Sequence, residues 1–93
     1  MTQPYTTTID LQTYTIREEM MAAIGRYLND RTPPGSFLRA ILENNFVGAT
    51  TQSDANNFSN LPAYAHLLHW ELPEITWGSK EKVDAWLAHD EQY

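Results

Sequence analysis

The sequence predicts a mainly α-helical domain, a compact bundle of four or five short helices with an extended N-terminal arm or short strand. Three observations lead there. Apolar residues recur at helical spacing in several separate stretches, Pro, Gly and Asn punctuate those stretches, and only the first dozen residues alternate with a period of two. Ninety-three residues is a single-domain length, divided on this reading into an arm over 1–14 and a helical domain over 15–93.

In chain order, Tyr5, Thr7, Ile9 and Leu11 alternate with Thr6, Thr8, Asp10 and Gln12, which reads as one strand. No second comparable run follows, so its backbone groups need an edge from elsewhere, and a twofold copy of the chain is one source. The other reading is an extended arm laid over the helices. Thr15 to Glu18 fits a capping box, in which hydroxyl and carboxylate each satisfy a free N–H, and Ile16, Met20, Ile24, Tyr27 and Leu28 continue a helix over 16–29. Thr32-Pro33-Pro34-Gly35-Ser36 ends that helix and starts the next, because proline is tolerated in a first turn. The second helix spans 34–44, with Phe37, Leu38, Ile41 and Leu42 inward and Arg39 and Glu43 on the wet face.

Asn44, Asn45 and Gly48 interrupt, and Thr50 to Ser53 supplies N-caps for a short helix over 53–59. Pro62 makes the stretch 61–71 either a separate helix or a kinked continuation of that one, with Leu61, Tyr64, Ala65, Leu68 and Leu72 as its apolar face. Pro73 to Gly78 is a loop. Ser79 caps the last helix, Glu81 sits in its first turn where the helix dipole favours an anion, and Val83, Trp86 and Leu87 turn inward before a polar tail from His89.

Composition narrows the function classes. The chain is 42% hydrophobic and 19% charged, the profile of a folded domain, and it contains no cysteine, so packing alone must hold it. No run approaches the roughly 18 apolar residues that span a bilayer, and the start resembles no signal peptide, so a cytoplasmic location is expected. The net charge is −6. Arg17, Arg26, Arg31 and Arg39 nearly balance the acids of the first half, whereas Lys80 and Lys82 face Asp54, Glu71, Glu74, Glu81, Asp84, Asp90 and Glu91 in the second. Direct nucleic-acid binding, which depends on Lys and Arg at phosphates, is not expected.

Two blocks carry a resemblance. Pro33-Pro34-Gly35-Ser36-Phe37-Leu38-Arg39-Ala40-Ile41-Leu42-Glu43-Asn44, preceded by Arg26-Tyr27, and Trp77-Gly78-Ser79 followed by Glu81-Lys82-Val83-Asp84-Ala85-Trp86-Leu87 resemble a group of small accessory proteins of bacteriophages and prophages. The likeness covers about residues 16–88 and leaves the arm outside. Lys80 departs from it, standing where proline follows the Gly-Ser pair, and this bears on capping of the last helix. The group has no assigned activity. What the resemblance implies is a phage setting, in which small acidic proteins without catalytic motifs bind and block a host bacterial protein, as anti-CRISPR and other host-takeover factors do. That step is analogy of setting, and the site must be argued from residues.

Among chemical constellations, His66 and His69 lie three apart on a helix with Glu71 beyond, a spacing that can share a metal, against the simpler reading of a solvated face. Ser36 has no evident base, and no glycine-rich phosphate loop occurs. The expectation is therefore a non-enzyme without metal or cofactor. Acids of the second half can form a patch that mimics nucleic acid, or an ordinary wet surface. Trp86 reads as core and Trp77 as a loop residue open to a partner. The partner-binding candidates are Trp77, Glu74, Glu81 and Asp84 near the last helix and Tyr5 and Ile9 on the strand, for a host bacterial protein, with a homodimer through the arm, a phage assembly factor and a small hydrolytic or metal enzyme as the other readings.

Overall fold

One tight reversal sets the start of the chain. The structure is a computed structural model that describes residues 3–88. Strand β1 (Tyr5–Ile9) turns through Asp10 and Leu11 into β2 (Gln12–Ile16), antiparallel and in the register Tyr5↔Ile16 to Ile9↔Gln12. Asp10 and Leu11 have φ of 53° and 68°, the paired left-handed geometry of a two-residue type I′ hairpin turn. The expected lone strand or extended arm is thus a hairpin, and the reason for expecting it to pair with a second copy, a strand without a partner of its own, does not hold. Tyr5, Thr7 and Ile9 face inward as the alternation predicts, while Thr6 and Thr8 face Thr15 and Thr13 across the outer surface, with hydroxyl pairs at 3.1 and 3.3 Å.

The expected capping box fails for the same reason. Thr15 belongs to β2, its N–H donates to the Asn60 side chain at 2.8 Å, and α1 (Glu18–Asp30) starts after Arg17 with no side-chain cap. Arg17 instead clasps Glu19, Asp54 and Asn56, tying the hairpin's exit to the middle of the chain. Arg31, left-handed at φ 56°, ends α1.

Helix α2 (Ser36–Leu42) buries Phe37, Leu38, Ala40 and Leu42, shorter than the expected 34–44. Ile41 is only half-buried, and Arg39 and Glu43 pair four apart on a face that is partly rather than fully wet, where Arg39 also bridges to Asp84. An element the sequence reading lacks follows: α3 (Phe46–Gln52), capped by Asn45, whose side chain accepts from the Gly48 N–H at 3.0 Å. Thr50 and Thr51 do not cap; they lie inside α3 and donate back to its carbonyls. Asp54 caps α4 (Ala55–Ser59) through the Asn57 N–H at 2.8 Å.

Helix α5 (Leu61–Glu71) matches its expected span, with Pro62 in the first turn. Its buried residues are Ala63, Tyr64, Leu67 and Leu68, whereas Ala65 is exposed, so the inward face is rotated from the expected one. A 3-10 turn (Glu74–Thr76) leads to α6 (Lys80–Ala88), where the Ser79 hydroxyl accepts from the Lys82 N–H as expected. The chain is mainly helical, with six α-helices among the described residues and one two-stranded sheet. None of those helices is long and apolar enough to cross a membrane. The expected polar tail from His89, like Asp90, Glu91 and Tyr93, lies outside the described residues.

The core gathers Ile16, Ile24, Tyr27, Leu42, Tyr64 and Val83 from hairpin and helices alike. The hairpin packs on α5, α3 on α2, and α6 on the 3-10 turn and α2. Phe37 meets Tyr64 edge to face at 5.2 Å, a favoured aromatic geometry. Gly25 sits in the middle of α1, and a Cβ added there meets nothing within 4 Å. Gly25→Ala is therefore expected to stabilise the fold by about 0.5–1 kcal/mol, by restricting the unfolded backbone and raising helix propensity. Urea unfolding checks it: the midpoint rises and the slope is unchanged.

Candidate functional site

The six candidate residues fall on two separate parts of the molecule. Glu74 opens the 3-10 turn, its carbonyl accepting from Lys82 Nζ at 3.2 Å, and its side chain is exposed, as is that of Glu81 in the first turn of α6. Trp77 connects these elements. It is half-buried against the core, and its indole N–H is enclosed without a hydrogen-bond partner among the described residues. The loop is fixed by Gly78, whose φ of 122° suits only glycine and whose N–H donates to the Leu42 carbonyl at 2.7 Å.

Asp84 is spent inside the chain. Lys80 donates to one of its oxygens at 2.7 Å and Arg39 to the other, so it links α6 to α2 and offers a partner little free charge. Lys80, and after it Arg39, hold the Asp84 carboxyl below the usual carboxylate range. Asp54 is depressed in the same way, chiefly by Arg17 and then by the Asn57 N–H that it caps. An acidic mimic of nucleic acid would need its carboxylates unpaired, and these two are not.

On the other part, Tyr5 and Ile9 are half-buried on the inner face of β1. Tyr5 stands at an open cleft of about 390 Å³ between β1, α1 and α5. Buried Ile24, Leu67 and Leu72 form its floor, Met21 and Leu28 its sides, and Gly25 and Glu71 complete the lining. Burial, and secondarily the Glu71 charge, push the Tyr5 phenol above its usual range.

His66 and His69 are held by separate contacts. His66 Nδ1 lies 3.0 Å from the Thr7 hydroxyl and fastens α5 to the hairpin, and the His69 ring meets Trp70 edge to face at 4.4 Å. No group of three His, Cys, Asp or Glu able to hold a metal occurs among the described residues. Trp86, read as core, is half-buried, with its indole N–H on the Tyr27 carbonyl at 2.9 Å and the Arg31 guanidinium 3.5 Å over its ring.

What sequence reasoning missed is the apolar surface on α3. Phe46 is 74% exposed and Val47 67%, in the first turn of α3. Phe46 also lines a small apolar groove of about 140 Å³ with Ile41, Ala49, Leu61, Ala65 and Leu68, where α2, α3 and α5 meet. The Asn45-x-x-Gly48 cap was the available signal for α3. The exposure of Phe46 had none.

The chain matches no family model, no curated protein and no solved structure.

Asp54 and Asp84, depressed in the folded state, make the fold sensitive to acid. The folded chain then binds fewer protons than the unfolded one, so their contribution is complete above the unfolded Asp pKa of about 3.9 and is lost as pH falls through the lower folded values. Asp54→Asn, which keeps an N-cap, combined with Asp84→Asn, is expected to flatten the decline of the urea midpoint between about pH 5 and pH 2. An unchanged decline in the double variant would assign acid sensitivity to other carboxylates.

Proposed function

We propose that the chain is a small acidic binding protein, encoded by a phage, that inhibits or modulates a host bacterial protein by direct contact, in the manner of an anti-defence or host-takeover factor. The phage setting rests on the resemblance of the two sequence blocks. The binding role rests on one observation: Phe46 and Val47 are adjacent and mostly exposed, and Phe46 lines the groove between α2, α3 and α5.

Large apolar side chains that gain nothing from the core are a cost in water, and aromatic anchors beside a pocket are where protein interfaces concentrate their binding energy. The occupant proposed for this groove is an apolar side chain on a helix of the host protein, laid across α3. Trp77, Glu74 and Glu81 then form a second, acidic flank that steers approach toward a basic neighbourhood without supplying the anchor.

The test is capture from host lysate with the wild-type chain and with Phe46→Asp/Val47→Asp. Both positions lie in the first turn of α3, where an acid suits the helix dipole, so thermal unfolding is expected to shift little. The wild type is expected to retain one host protein and the double variant to lose it, by 2 kcal/mol or more in a titration, on the order of a hot-spot loss. Equal retention would move the interface off α3, and copurification with virion parts would favour an assembly role.

A further inference from the structure

The cleft between β1, α1 and α5 lies on residues distinct from those of the groove on α3, and it has a chemistry of its own. Its floor and sides are aliphatic, and its one charged lining residue is Glu71. That carboxylate is exposed and forms no ion pair among the described residues, unlike Asp54 and Asp84. No Lys or Arg lines the cleft to neutralise it.

Gly25 gives the second, independent observation. A glycine within a helix lowers its stability, and α1 keeps one where a Cβ has open space and no backbone torsion demands it. Among the described residues, nothing lies within 4 Å of a Cβ placed there. Its one structural consequence is to leave the cleft deeper by a side chain, beside Ile24 and opposite Leu67.

From the aliphatic floor, the unpaired carboxylate at the lining and the depth kept by Gly25, we infer that this cleft binds a small aliphatic ammonium compound, its chain against Ile24 and Leu67 and its cation at Glu71. An open cleft of this size suits a single flexible alkyl chain. An alkyl carboxylate of the same length places like charge against Glu71 and is disfavoured. An uncharged alcohol makes the apolar contacts alone.

The experiment is an amide NMR titration of the full chain with octylammonium, octanol and octanoate, each below its micelle concentration. Octylammonium is expected to shift the amides of Gly25, Leu67 and Glu71 and to bind roughly tenfold more tightly than octanoate, with octanol between, as one partly screened charge contact predicts. Glu71→Gln is expected to bring octylammonium to the affinity of octanol without changing the fold. Gly25→Leu, which fills the cleft, is expected to abolish the shifts for all three. The inference is overturned if octanoate binds as well as octylammonium, if shifts are absent or map elsewhere, or if Glu71→Gln leaves the order of the three unchanged. Since Glu71 is exposed, that variant decides the matter even where Gly25→Leu does not fold. Phe46→Asp/Val47→Asp is expected to leave all three titrations unaltered, which separates this site from the surface proposed on α3.

Discussion

The Tyr27 hydroxyl donates to the Thr76 carbonyl at 2.7 Å, while the Tyr27 carbonyl accepts from the Trp86 indole at 2.9 Å. One fully buried residue of α1 thereby fixes both the 3-10 turn and α6, elements some fifty or sixty residues further along. The constraint is severe because a domain of this size has little apolar surface to bury and no cysteine to staple it. A buried polar atom left unmatched costs about 1–3 kcal/mol, enough to offset much of what burying its ring contributes. Burial pushes the Tyr27 phenol up to about 12, so it stays a donor throughout the working pH range.

Tyr64 repeats this arrangement on the opposite side. Its hydroxyl donates to the Asn57 side chain at 2.7 Å, and its ring meets Phe37 edge to face, so α5 holds α4 and α2 together. Asn57 is buried because that hydroxyl satisfies it. The two tyrosines thus hold short helices in place from within, and the outer fastenings at Arg17 and Arg39 are partly exposed ion-pair clusters whose worth is modest in water. Surface residues can then vary without loss of the fold, which leaves the faces on α3 and at Glu71 free to take other roles.

How much of this the sequence discloses depends on whether a residue's signal has one meaning. Pro62 and the Leu-rich run after it have one, and α5 is found at its expected bounds. Thr15-x-x-Glu18 has two, because a threonine before a glutamate can cap a helix or end a strand, and here the strand wins through Ile16 in the core and the Asn60 contact. The hairpin was hidden by its turn: Asp10-Leu11 adopts a geometry that ordinarily announces itself with Asn-Gly or Asp-Gly. Helix α3 was hidden because its first two residues face water, so it lacks the one-sided periodicity by which helices are recognised. Of the candidate residues, Asp84 reads from sequence as surface charge, and its pairing with Arg39 depends on α2 and α6 meeting, which no local pattern encodes.

Where these misreadings fall carries its own argument. A leucine held at φ 68° costs about 1–2 kcal/mol in backbone strain, and at 96% exposure Leu11 recovers none of it by burial. Gly25 in α1 and Phe46 and Val47 on α3 are likewise choices that the isolated fold would improve by changing. Local rules broken without an internal compensation are expected where a chain is shaped by something outside itself. The one buried side-chain polar atom without a partner among the described residues, the Trp77 indole nitrogen, belongs with them, since Gly78 and its bond to Leu42 hold that loop in place rather than letting it relax. Tyr27 and Tyr64 explain much of why the chain folds; Leu11, Gly25, Phe46, Val47 and Trp77, together with the exposed Phe58, Trp70 and Ile75, are what folding alone leaves unexplained, and they are positions at which contact with other molecules has to be sought.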